Sequence, residues 1–170
     1  GVFAISIPKA PYRCPPGPYE RACQAAYYLK NNKPKSKVLI LDANPDITSK
    51  KGLFIAAWKE LYPGMVEHHP NAAVMKVDVA GKIAKTEFED VKADVLNIIP
   101  PMKAGMVANM AGVVGADNRW CAVDFLSYES RLQKNIHVIG DSVAAAMPKS
   151  GHMATSHAKV CAAAIIELMQ

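Results

Sequence analysis

Three stretches of this 170-residue sequence predict a mixed α/β fold with parallel strands. Residues 2–7 (VFAISI) and 37–42 (KVLILD) are short apolar, β-branched runs of the kind buried on both faces of a parallel sheet. A helical segment separates them, so strand, loop, helix and strand with an acidic end follow in the order of a βαβ unit. Residues 136–141 (IHVIGD) repeat the pattern: an apolar run ending in Gly-Asp precedes a long carboxyl-terminal helix.

Each element has its own local reason. Pro8 stops the first strand, and a Pro-rich loop runs to Pro18. Residues 19–30 (YERACQAAYYLK) read as a helix with small and aromatic residues inward and charge near both ends. Residues 31–36 form the turn into the second strand, which ends at Asp42. The segment 47–62 holds another helix that stops before Pro63-Gly64, and residues 65–69 form a short strand. In such a strand His68 and His69 point to opposite faces, which argues against joint metal coordination. Residues 73–79 and 83–88 read as a hairpin turning at Ala80-Gly81-Lys82. Residues 93–99 (ADVLNII) form a buried strand closed by Pro100-Pro101, the expected seam between two domains, 1–100 and 101–170. A short helix and loop over 102–115, a brief connection at 127–132, the strand 136–141 and a helix from about Gly151 to Met169 complete the chain. Tyr27-Tyr28 and Met102, Met106 and Met110 read as core or interface residues.

Composition narrows the function classes. The formal charge is +5, but the lysines are scattered, aromatic residues are few, and no basic stripe interleaves with stacking side chains, so nucleic-acid binding is not expected. No apolar run approaches the roughly 20 residues that span a bilayer. Cysteines stand at 14, 23, 121 and 161, a spacing that matches no paired zinc pattern. Cys23 and Cys161 lie on alanine-rich helices and read as small buried residues, whereas Cys14 and Cys121 lie in loops. His157 and Cys161 share a helical face at i, i+4, but no third ligand falls at a suitable spacing, and no metal site is expected.

Two segments carry chemistry. At the end of the 136–141 run, Gly140 lets backbone approach a ligand, and Asp141 offers a carboxylate at a strand's carboxyl end, where ribityl hydroxyls bind. Pro148, Lys149, Ser150 and Gly151 open the last helix, whose amides and dipole favour electron-rich groups such as a flavin carbonyl. The first βαβ unit lacks GxGxxG and carries PYRCPPGP (residues 11–18) in its place. Prolines donate no N–H, so this loop does not cradle a pyrophosphate, and NAD binding in the usual way is not expected.

Read together, RCPPGPYERA, ADVLNIIPP, RWCAVD and IHVIGDSVAAAMPKSGHMATSHAKVCAAA resemble the flavoprotein subunit of flavocytochrome c sulfide dehydrogenase, with the motifs in order across nearly the whole chain. The resemblance implies a partial FAD/NAD(P)-binding fold of the glutathione reductase type: a three-layer NAD-like domain plus the carboxyl-terminal piece of an FAD domain. Against that template the chain begins inside the NAD-like domain and stops just after the flavin helix. It implies a reaction in which sulfide attacks a redox-active disulfide beside FAD to form a persulfide, with electrons leaving to a c-type haem on a partner cytochrome subunit in the periplasm.

By motif, the resemblance makes Cys14 one active-site cysteine and Glu20 the acid/base carboxylate, with the second cysteine beyond the flavin helix. Such a cysteine must react as a thiolate, and Cys14 follows Arg13 and precedes a helix start, both of which favour negative charge. Glu20 serves as a base if burial raises its pKa; otherwise it is a first-turn glutamate complementing the helix dipole. The resemblance matches Asp141 to the ribityl-binding aspartate and residues 148–152, including His152, to the segment facing the flavin ring. Lys149 is then either a cation near the flavin N1 edge or a solvated lysine. Cys121 is structural or an alternative partner for Cys14. The rival enzyme is sulfide:quinone oxidoreductase, which needs an apolar carboxyl-terminal surface, and the RCPPGPYE loop favours the cytochrome-linked form. A reading of another class is an inactive structural fragment or interaction module that binds FAD weakly or not at all by itself.

Overall fold

The apolar run at residues 2–7 forms β1 (Val2–Ile7) in the computed structural model, which describes residues 1–170. Its Ala4, Ile5 and Ile7 are almost fully buried. α1 (Gly17–Asn32) leads to β2 (Lys37–Asp42), α2 (Lys51–Leu61) and β3 (Val66–His69). β4 (Val74–Asp78), β5 (Ile83–Thr86) and β6 (Asp90–Lys92) follow, then β7 (Val95–Ile98). Strands β3, β2, β1 and β7 lie side by side in that order, all parallel, with Val2 opposite Lys37 and Phe3 opposite Val95. The chain grows outward from β1 through β2 to β3 and then returns to the other flank of β1. Strand order therefore reverses between β1 and β7, the crevice where such sheets bind ligands.

Strand parity sorts the faces of β2. Leu39 and Leu41 pack with Ala72, just ahead of β4, and with Ala84 and Val91 of the antiparallel β4-β5-β6 meander. Asp42, of the opposite parity, meets Tyr19 of α1 instead. Rings from α2 cover Tyr19, with Phe54 at 5.3 Å and Trp58 at 6.4 Å between centroids. Helices, parallel sheet and meander thus make three layers. Fully burying Ile5, Ile7, Ile40 and Leu41 contributes about 1.5–3 kcal/mol each. Ser6, the polar residue of β1, is satisfied by accepting Ile99 N–H at 3.0 Å, which ties the exit of β7 to β1.

α1 starts two residues earlier than its apolar pattern predicts. Pro18 lies in the first turn, where its fixed φ suits a helix and its missing N–H costs nothing. Glu20 in the first turn and Lys30 in the last complement the dipole. The predicted hairpin forms, but its second strand ends at Thr86. The Thr86 hydroxyl accepts the Glu89 and Phe88 N–H groups there and turns the chain into β6.

The chain divides into two compact units, Gly1–Pro101, described above, and Met102–Gln170. The second unit holds α3 (Met106–Met110), a one-turn 3-10 helix at Gly140–Ser142, and α4 (Gly151–Leu168). Its core clusters are Ala104, Ala108, Val113 and Cys121, and Val123, Tyr128, Val143 and Cys161, with Val138 packed against both. The expected strand over residues 136–141 does not form. His137 makes one isolated bridge to Glu129, and the run ends in the 3-10 turn. Its backbone groups go to single partners rather than a ladder: Ser130 N–H donates to the Ile136 carbonyl at 2.7 Å, and Val138 N–H to that of Tyr128 at 2.9 Å. Without a continuous neighbouring strand, an apolar run of this length stays irregular.

Candidate functional site

The loop leaving β1 carries Cys14 on left-handed backbone, φ 55°, a conformation uncommon for a residue with a side chain. A turn closes under it, with Gly17 N–H donating to the Cys14 carbonyl at 2.8 Å. Gly17 also makes room for the thiol, because a Cβ there would stand 3.1 Å from Cys14 Sγ. The sulfur therefore rests on the first residue of α1, where the helix dipole attracts negative charge. All four cysteines are free thiols, and Cys14 is the exposed one. Cys23 accepts Trp58 Nε1–H at 3.2 Å, and burial pushes its thiol pKa up. Cys121 lies fully inside the second unit, its pKa also raised by burial. Glu20 is exposed in the first turn of α1, where its charge complements the dipole.

Beneath this loop stands a polar network that spacing does not reveal. Asp42 is fully buried and accepts four hydrogen bonds. Its Oδ1 takes Asn44 N–H at 2.9 Å and Asn44 Nδ2 at 2.8 Å. Its Oδ2 takes the Tyr19 hydroxyl at 2.6 Å and His68 Nε2 at 3.0 Å. A carboxylate has about four lone-pair positions, and here all are used. The donation from Tyr19 and the loss of solvent raise the tyrosine pKa far above its ordinary value, desolvation being the larger cause. Asn44 reaches onward, accepting Ala10 N–H at 2.9 Å and donating to the Pro8 carbonyl at 3.0 Å, which fixes the start of the loop. Tyr12 fixes its middle by donating to the Pro15 carbonyl at 3.1 Å.

In the second unit the sequence-predicted residues converge around one turn. Gly140 has φ +72°, and a Cβ there would press on Ala154 of α4 at 3.3 Å, so both backbone and packing require glycine. Its N–H donates to His157 Nδ1 at 3.1 Å. That bond places the imidazole proton on Nε2, and burial lowers the His157 pKa, which keeps the ring neutral. The ring stacks on Tyr128 at 4.6 Å.

Lys149 is not solvated. It is buried, donating to the Asp141 and Val143 carbonyls at 2.7 Å each, with Nζ 3.7 Å from the centre of the Trp120 ring. Desolvation lowers its pKa. Ser150 caps α4 by accepting Met153 N–H at 3.3 Å. Pro148, Gly151 and His152 are exposed around that helix start, and a Cβ on Gly151 would meet nothing within 4 Å.

These residues fit a flavin. The first turn of α4 offers amides beside open space, and the Trp120 Nε1–H and His157 Nε2–H donors are buried without a protein acceptor. Spacing pointed to Gly140, Asp141 and residues 148–152, but it considered His157 only as a metal ligand. It also gave Tyr12, Asn44 and Thr48 no role. Asn two residues after a strand-end Asp is a local turn signal that marks Asn44.

Comparisons with known proteins agree with this architecture. A family model described as "Sulfide dehydrogenase (flavocytochrome c) flavoprotein chain, central" matches residues 1–100. Among solved structures, a chain of the Tetrahymena thermophila mitochondrial ATP synthase tetramer is 20% identical with a TM-score of 0.66, covering 99% of this chain and 43% of that one. A Cu(II) complex of a mutant HOCl-induced flavoprotein disulfide reductase from Escherichia coli is 16% identical with a TM-score of 0.65, over 97% of this chain and 35% of that one. Lactococcus lactis thioredoxin reductase is 13% identical with a TM-score of 0.60, over 96% and 50% respectively. The likeness to these structures is one of fold, and the chain spans half or less of each.

Proposed function

The chain belongs to the family of the central region of sulfide dehydrogenase flavoprotein chains, and from that premise we propose that it serves flavin-dependent oxidation of sulfide, with electrons passing to a c-type cytochrome subunit. In this reading residues 1–100 are an NAD-like domain that has given up its nucleotide, and residues 101–170 are the carboxyl-terminal part of an FAD domain. The observation that carries it is the seating of Cys14, the exposed thiol among the four, on strained backbone at the start of α1.

Cys14 is one sulfur of a redox-active disulfide. Hydrosulfide attacks a disulfide sulfur, the S–S bond breaks, a persulfide forms, and the displaced cysteine leaves as a thiolate. Glu20, exposed in the first turn of α1, is in this reading the carboxylate that takes the hydrosulfide proton. FAD, when bound, would supply the two-electron acceptor that the thiol–disulfide pair needs. Gly140 and Asp141 would hold its ribityl side, and the helix start formed by Pro148, Lys149, Ser150, Gly151 and His152 would face its ring. Two observations support a site without NAD: four of the eight residues of the 11–18 loop are prolines with no N–H for a pyrophosphate, and Asp42 has no lone pair left for a ribose diol. No helix is long and apolar enough to cross a membrane, and a periplasmic location accompanies the cytochrome-linked reading.

Anaerobic rapid mixing of the FAD-loaded flavoprotein with sulfide tests the proposal. Flavin absorbance near 450 nm bleaches, and c-type cytochrome reoxidises it; Cys14→Ser abolishes bleaching by sulfide yet leaves photoreduction intact. Bleaching of Cys14→Ser at the wild-type rate, or by NADH in place of sulfide, would refute it.

A further inference from the structure

We infer that Thr48 and Tyr12 are positioning residues that hold the Cys14 loop in its left-handed conformation through a directed hydrogen-bond chain anchored on Asp42. The inference rests on the proposed role of Cys14 for its functional meaning, but its geometry stands apart from that role.

The direction of every proton in the chain follows from its ends. Asp42 only accepts, so the Tyr19 hydroxyl donates to it at 2.6 Å. Tyr19 oxygen then accepts Thr48 N–H at 3.1 Å. The Pro15 carbonyl also only accepts, so the Tyr12 hydroxyl proton goes there. The 2.6 Å contact between Tyr12 and Thr48 hydroxyls must then be a donation from Thr48 to Tyr12. Thr48 is the junction. Its backbone N–H locks onto the Asp42 side and its hydroxyl onto the loop side. Burial raises the Tyr12 pKa and keeps that hydroxyl a donor.

The end of the chain lies one residue from the reactive position. Tyr12 grips Pro15, the residue after Cys14, while Gly17 N–H grips Cys14 itself at 2.8 Å. A residue at φ 55° returns to extended or helical backbone unless its neighbours are held on both sides. Thr48 is exposed as a residue, so losing its hydroxyl removes the 2.6 Å bond to Tyr12 and a 3.4 Å contact with the Tyr19 hydroxyl without opening the core.

Residue-resolved hydrogen exchange of the 170-residue chain is the test, comparing wild type with Thr48→Val, Thr48→Ser and Tyr12→Phe. Exchange at Gly17 N–H, the amide that closes on Cys14, is expected to quicken about tenfold in Thr48→Val and Tyr12→Phe. The amides of β1 stay unchanged, and Thr48→Ser, which keeps the hydroxyl, restores the wild-type rate. An unchanged Gly17 rate in Thr48→Val and Tyr12→Phe would overturn the inference. So would a uniform rise across β1, which would make these residues general stabilisers, or a failure of Thr48→Ser to rescue. None of these results depends on flavin or sulfide, so failure here and failure of the sulfide reading are separately visible.

Discussion

Replacing Asp42 with asparagine isolates the charge at the centre of the first unit while preserving its shape. The carboxylate accepts from Asn44 N, Asn44 Nδ2, the Tyr19 hydroxyl and His68 Nε2. An amide presents oxygen to one pair and an NH2 group to the other. Asn44 N–H cannot reverse, whereas a hydroxyl can rotate and an imidazole nitrogen can accept, so the new NH2 turns toward Tyr19 and His68. Each charge-assisted bond is worth about 0.5–1 kcal/mol more than its neutral replacement, which sums to roughly 2–4 kcal/mol over four bonds. Relief from burying a charge offsets about 1 kcal/mol of this. The expected loss is therefore about 1–3 kcal/mol, or roughly 5–20 °C in Tm for a domain of this size. Urea unfolding followed by Trp58 fluorescence in a Trp120→Phe background measures it, since the Trp58 ring lies 6.0 Å from His68 and 6.4 Å from Tyr19. A loss below about 0.5 kcal/mol, or a gain, would refute the reasoning, because four donors converging on a charge cannot then be what holds this end of the sheet.

Two further perturbations address the second unit. Lys149→Met keeps the buried stem but removes two hydrogen bonds to carbonyls and the contact with the Trp120 ring. It is expected to cost about 2–4 kcal/mol in urea unfolding, and a cost near zero would mean that the ammonium is not needed to hold the Asp141 turn. His157 has a folded pKa lowered below its unfolded value of about 6.5, so the unfolded state binds more protons as pH falls. Stability is full above about pH 6.5 and declines below it toward the folded pKa. His157→Gln, which retains an acceptor for Gly140 N–H, is expected to flatten that decline between about pH 6.5 and 5 in melts of the chain, and an unchanged slope would assign the acid sensitivity elsewhere.

The centre of the parallel sheet was legible because β1 and β2 are short, apolar and β-branched runs, and burial on both faces leaves little else for such runs to do. The 136–141 run was misread for the same reason. IHVIG has a strand's composition, but a strand is a property of neighbours, and here Ser130, Tyr128 and His157 take its backbone groups one at a time. Periodicity reports the preference of a segment, not the presence of a ladder to join.

The site divides along the same line. The positive φ of Gly140 and the cap of α4 were legible because left-handed glycines and helix caps are local in sequence, whereas Asp141 lies in a 3-10 turn and not at a strand end. Asp42 was visible too, as an acid at the end of β2, but its use was not. Its partners Tyr19 and His68 lie 23 and 26 residues away on different elements, and no spacing rule joins them. Together with Asn44 they make the decisive difference between this βαβ unit and a nucleotide site. The residue type at the strand end is the one a ribose would require, yet the protein's own donors fill every position a ribose would take. The proline loop, standing where a glycine-rich turn would cradle phosphate, is joined to the same acid through Thr48 and Tyr12. The feature that disfavours a pyrophosphate and the acid with no acceptor left for a ribose therefore belong to one hydrogen-bonded unit around Cys14.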